Sequence, residues 1–194
     1  MTLKVFTTLL RPSLHAYIFV QGIVYARQTA EVIRWSEIES LHKDVHHGGK
    51  NAISCSYTLR CADGRTFVFG STFYDIQRLG RMLEREVASS FFAKMLDLYS
   101  RGGSLVFGEI IINLQGIAIQ WKQEQIPWRE VQYIDGHETV ICIRKKGEDQ
   151  DWTTIPVTQV PNVCVLKAVV KHMHRKQRYV SFLQTTLFPK RPSL

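Results

Sequence analysis

The chain has 194 residues, 45% of them apolar and 22% charged, with a formal net charge of +8; this is the composition of a folded globular protein and not of a disordered, collagenous or disulfide-rich one. No apolar run approaches the ~18 residues that span a bilayer. The opening MTLKVFTTLLRP is too short and too interrupted for a secretory core segment, so a cytoplasmic location is the expectation.

In chain order, residues 1–15 are weakly patterned, with Pro12 breaking any helix, and read as a lead-in. Tyr17, Phe19, Ile23 and Tyr25 around Gln21-Gly22 predict a hairpin in which Gly22 can supply a positive φ. Strands are predicted next at Val32–Trp35 and Ile38–Val45, then a loop of His46, His47, Gly48, Gly49, Lys50 and Asn51. In Ile53–Cys61 apolar and polar residues alternate strictly, the period of a strand with one buried face, and Asp63-Gly64 turns it into Arg65–Phe69. Five or six antiparallel strands thus precede a helix that begins near Asp75, a capping residue type, and runs to about Ser100 before Gly102-Gly103. Its stripe is Ile76, Leu79, Leu83, Val87, Phe91, Met95 and Leu98. At about 26 residues and ~39 Å it is too long for one small unit, so its second half is expected to touch the next unit of the chain.

From residue 102 the same order of elements recurs. Strands are predicted over Leu105–Asn113, Ile117–Trp121, Gln125–Trp128, Val131–Ile134, Val140–Arg144 and Trp152–Val157, and a helix from Val163 to about Lys176, opened by Pro161-Asn162. Both copies read strand, Gln-Gly-Ile, strand, turn, strand, Trp, one residue, Glu, aliphatic. Gly22 matches Gly116 and Trp35 matches Trp128, with a one-residue gap between the two registers. The chain therefore divides into a lead-in (1–15), a first unit with its long helix (16–101), a second unit (102–178) and a tail (179–194). The class is α+β, mainly β, with each antiparallel barrel or sandwich closed by its C-terminal helix.

Ile126-Pro127-Trp128, Glu130 and Val131, echoed by Ile33, Trp35, Glu37 and Ile38, carry a resemblance. Strand, Gly, strand, a Trp-x-Glu-aliphatic step, hairpins and a final helix are similar to the pleckstrin-homology-like (PH-like) modules of bacterial proteins. With Val160-Pro161-Asn162-Val163 and Ala62-Asp63-Gly64-Arg65, the whole from about residue 16 to 175 resembles a bacterial family of unknown function built of tandem PH-like units. The resemblance implies a fold, and neither catalytic residues nor a cofactor.

The side chains offer little chemistry. Cys55, Cys61, Cys142 and Cys164 show no C-x-x-C pair and no zinc-finger spacing, and read as buried thiols in a reducing compartment. His15, His42, His46 and His47 lack a completing ligand set, so no metal is expected. Gly-rich phosphate loops and a G-x-S-x-G elbow are absent, and the expectation is a binding protein and not an enzyme. Trp35 and Trp128 read as core anchors; Trp121 and Trp152 have no counterpart in the first copy and would matter if exposed.

Seven of the eight excess charges lie from Lys167 onward, in a stretch without an acid. Lys171, Arg175, Lys176, Arg178, Lys190 and Arg191 are therefore the candidate contacts to an anionic partner, interleaved with Tyr179, Phe182 and Phe188. A protein partner at a sheet edge or in the groove beside a helix is the first expectation. Peripheral contact with anionic membrane lipid through the basic tail is the alternative. Nucleic acid is disfavoured because the other 166 residues are close to neutral, and no small-molecule substrate is implied.

Overall fold

Alternating apolar residues in short runs, broken by turns, produce small antiparallel sheets in this chain. The computed structural model describes residues 4–7, 14–47, 53–136 and 139–173. Strands β1 (Lys4–Thr7), β2 (His15–Ile18), β3 (Gly22–Ala26) and β4 (Ala30–Arg34) form one four-stranded meander. Strands β5 (Ile38–His47), β6 (Ile53–Cys61) and β7 (Thr66–Phe69) form a three-stranded one, and helix α1 (Ile76–Ser100) comes next. The order then recurs. Strands β8 (Leu105–Phe107), β9 (Ile110–Ile112), β10 (Gly116–Ile119) and β11 (Glu124–Pro127) make a second four-stranded meander. Strands β12 (Val131–Gly136), β13 (Val140–Lys145) and β14 (Thr153–Pro156) make a second three-stranded one, before a helix α2 over 163–173. Among the described residues the protein is mainly β with two helices.

Among the described residues none of the four sheets closes on itself, which corrects the barrel alternative of the expected barrel or sandwich. Between β4 and β5, and again between β11 and β12, a 3-10 turn carries the chain out of one sheet and into the next. Each turn starts at the anticipated Trp, and the two are built alike. Trp35 Nε1 donates to the Phe19 carbonyl at 3.2 Å, and Trp128 Nε1 donates to the Asn113 carbonyl at 2.8 Å. Both indoles are buried, so each ties its turn back to the first sheet of its half.

Three further expectations are revised. The lead-in contains a strand: Lys4–Thr7 pairs with His15–Ile18, bringing to seven the strands before α1 among the described residues. Gly22 has no positive φ. It is glycine because β4 passes so close that a Cβ would collide with the Ile33 carbonyl, and Gly116 is in the same position against the Ile126 carbonyl. The single strand expected over Leu105–Asn113 is two, split at Gly108, whose φ of 62° turns the chain and whose missing Cβ makes room for the Gln159 carbonyl.

Helix α1 begins where Asp75 accepts the Arg78 amide at 3.0 Å. Its first half is buried against β5, β6 and the 3-10 turn at Trp35 through Leu79, Met82, Leu83 and Val87, with Gly80 letting the Tyr57 ring lie against the backbone. Its second half keeps Phe91, Phe92, Met95 and Tyr99 only half-buried, and the expected stripe residue Leu98 is exposed. Farther along, α1 packs on β8, and Tyr99 reaches Trp128. Helix α2 buries Leu166, Val169, Val170 and Met173, and the buried side chains of both halves join in one contiguous core.

Candidate functional site: the edge of β5 beside the first helix

Strand β5 is ten residues long, pairs along its length with β6, and lies at the margin of its sheet. An edge strand presents a row of unpaired amides and carbonyls, a template for another backbone. Part of this row is already occupied from far along the sequence. The Asn162 amide donates to the Leu41 carbonyl at 2.9 Å, the Leu41 amide donates to Asn162 Oδ1 at 2.9 Å, and Asn162 Nδ2 donates to the Glu39 carbonyl at 3.2 Å. Asn162 adopts a left-handed φ of 55°, a conformation that asparagine tolerates better than most residues. Its own carbonyl receives the Val165 and Leu166 amides at 2.8 and 3.1 Å. One buried residue thus starts α2 and acts as a short strand paired to β5. The 3-10 turn Val157–Gln159 packs beside it.

Because Leu41 directs its amide and carbonyl away from β6, the alternation of an antiparallel ladder directs those of Lys43 and Val45 outward too. Among the described residues these groups have no hydrogen-bond partner. Next to them is a cavity of about 200 Å³ between β5, β6 and α1, lined by Lys43, Val45, Cys55, Tyr57, Arg81 and Glu84 among others. Lys43, Val45, Cys55 and Tyr57 share one face because they are cross-strand partners, Lys43 with Tyr57 and Val45 with Cys55.

Electrostatics in the groove are partly matched. Lys43 Nζ is 3.9 Å from Glu84 and lies 5.9 Å from the centre of the Tyr57 ring. Burial first, then the Glu84 charge, holds the Tyr57 hydroxyl well above the ordinary tyrosine range, so it remains protonated at neutral pH. Burial also pushes the Cys164 thiol, at the start of α2, up to about 12, with Glu84 adding to the effect. That thiol is therefore no nucleophile at neutral pH. Arg81 is exposed and makes no ion pair among the described residues.

Of the anticipated anionic-partner contacts, Lys171 is exposed on α2; Arg175, Lys176, Arg178, Lys190 and Arg191 lie outside the described residues. The structure separates the two tryptophans that have no counterpart in the first copy. Trp152 is half-buried, and its Nε1 donates to Glu124 at 3.0 Å, with Lys122 and Lys145 Nζ at 4.7 and 5.3 Å from its ring centre. Hydrogen bonds from Lys145 and then Trp152 hold the Glu124 carboxyl below the usual range. The first half makes the same tie differently: Arg65 stands 3.9 Å from Glu31, the residue corresponding to Glu124. Trp152 is thus a staple. Trp121, 58% exposed, has no such duty.

His46 Nε2 pairs with Ser56 Oγ at 3.1 Å. No three His, Cys, Asp or Glu side chains among the described residues converge as a metal site would need. Sequence reasoning missed Asn162 as a docking residue. The available signal was a Pro-Asn step before α2, which it read only as a helix start.

Four small antiparallel sheets and two helices among the described residues, with an edge strand that accepts backbone and a groove beside α1, define a mainly β protein. A family model described as "Family of unknown function (DUF6585)" matches residues 1–179, and the chain belongs to that family. The match begins upstream of the resemblance noted at about residue 16 and includes β1. No curated protein and no solved structure matches the chain. No helix among the described residues is long and apolar enough to cross a membrane.

Proposed function

We propose that this is a non-catalytic binding protein made of two tandem PH-like modules, residues 16–101 and 102–178, in which the edge of β5 receives an extended segment of a partner protein by strand addition. The PH-like reading is supported by the order four strands, three strands, helix, which occurs twice with matched tryptophans, the first copy drawing β1 from the lead-in upstream of residue 16. One observation carries the binding reading: β5 already pairs with the Asn162 backbone at Leu41 and continues, without a further partner among the described residues, through Lys43 and Val45 beside a cavity. Main-chain pairing supplies affinity in this mode, and pockets for alternate side chains supply selectivity.

The test uses a photo-crosslinking residue in place of exposed Gln77 on the rim of the groove, in cells. Val45→Pro is the control, because it deletes an outward amide that the β6 ladder does not use. A discrete adduct with the unaltered edge that disappears in Val45→Pro supports strand addition. An adduct indifferent to that substitution refutes it.

A second reading rests on the concentration of charge after Lys167: peripheral association with anionic lipid through Lys171, Arg175, Lys176, Arg178, Lys190 and Arg191. Each cation near such a surface contributes about 1 kcal/mol. Co-sedimentation with anionic and neutral liposomes, comparing the full chain with one ending at Lys176, tests it. Binding that is anionic-specific, salt-sensitive and lost on truncation supports this reading, and absence of binding removes it.

A further inference from the structure

We infer that the segment received along β5 is acidic, an extended strand that places a carboxylate against Arg81; this rests on the reading of β5 as the receiving edge. A strand laid beside β5 points alternate side chains toward the cavity, where Gln77, Arg81 and Glu84 stand on one face of α1 at four- and three-residue spacing. Glu84 is the one carboxylate lining the cavity among the described residues, and Lys43 already faces it at 3.9 Å. The charge left over is that of Arg81. Arg78, one turn earlier on α1, is likewise exposed and without an ion pair among the described residues, whereas Arg85 is held by Glu86. Among the described residues the groove therefore offers the unmatched Arg81 guanidinium beside unpaired backbone, and a guanidinium fork suits a carboxylate.

The sign of that charge argues against two other occupants. The chain's own C-terminal residues carry Arg175, Lys176, Arg178, Lys190 and Arg191 with no acid, so in the groove they would meet like charge. A second copy pairing β5 with β5 would bring each Arg81 toward its equivalent. Both arrangements place cations together in a partly enclosed site, where repulsion is screened less than on open surface.

Selection of a phage library of random decapeptides on the full chain tests the inference, with the enriched peptides then measured by fluorescence anisotropy. The expected result is an excess of Asp and Glu at alternate positions, and binding at least tenfold weaker to Arg81→Glu and intermediate to Arg81→Gln. Arg81 is exposed, so both variants leave the core intact. Acidic peptides whose binding does not change in Arg81→Glu are held elsewhere, on the basic C-terminal residues, and overturn the inference. Enriched peptides without acidic excess that are lost in Val45→Pro overturn the acidic occupant while leaving strand addition standing. Failure to enrich any peptide overturns both.

Discussion

Replacing Asn162 by alanine tests the contact that docks the start of α2 on the edge of β5. The substitution removes the Oδ1 that accepts the Leu41 amide and the Nδ2 that donates to the Glu39 carbonyl. Leu41 is 3% exposed, so water cannot replace the lost partner, and a buried donor left unsatisfied costs about 1–3 kcal/mol. Alanine must also hold the φ of 55° that asparagine tolerates, at a further cost of ~1 kcal/mol. The sum is roughly 2–4 kcal/mol, or a fall in Tm of about 5–15 °C for a chain of this size. Asn162→Gly loses the same hydrogen bonds without the backbone strain, so it is expected to be about 1 kcal/mol less destabilised than the alanine variant. Urea unfolding measures the stabilities, and hydrogen exchange reads the Leu41 amide itself, which is expected to lose protection in both variants. A loss under ~0.5 kcal/mol, with the Leu41 amide still protected, would refute the assignment of Asn162 as the residue that pairs with β5.

Gly22→Ala and Gly116→Ala each drive a Cβ into a neighbouring carbonyl on backbone that cannot yield, so each is expected to cost about 1–3 kcal/mol in urea unfolding, with similar values for the pair. A neutral result at either site would show that the close approach of the strands can relax. Burial first, then the Arg60 charge, lowers the pKa of His42 against the opposing Asp44. The folded protein therefore binds this proton less readily than the unfolded chain. Stability from this group is fully present above the ordinary histidine pKa of about 6.5 and is lost as pH falls through the lower folded value. Replacing His42 by glutamine is expected to flatten the stability–pH curve below that point, and an unchanged curve would assign the dependence to other groups.

Much of the architecture was legible in local periodicity. The strict alternation of Ile53–Cys61 coincides with β6, the Asp63-Gly64 turn holds Gly64 at a φ of 88°, and Asp75 caps a helix that ends at Ser100. The duplicated Trp-x-Glu step located two buried anchors, because an aromatic recurring at the same point in two copies must answer the same packing demand. Other features were visible but ambiguous. Gly22 marks a position intolerant of a side chain, yet only the approach of β4 distinguishes a collision from a positive φ. Likewise Gly108 divides a run whose apolar residues alone suggest one strand, Leu105 through Ile112.

By itself the sequence determined the elements, their order and its repetition, because alternation and helical periodicity depend on neighbours along the chain. The tertiary structure alone decided which part of the β5 edge is covered and which has no partner among the described residues. Leu41 and Asn162 are 121 residues apart, and no local pattern records that the start of α2 closes one part of β5 while Lys43 and Val45 remain outward beside α1. Hydrogen bonds from Asn162 occupy one point of the edge, and the next outward groups of the same edge have no partner among the described residues.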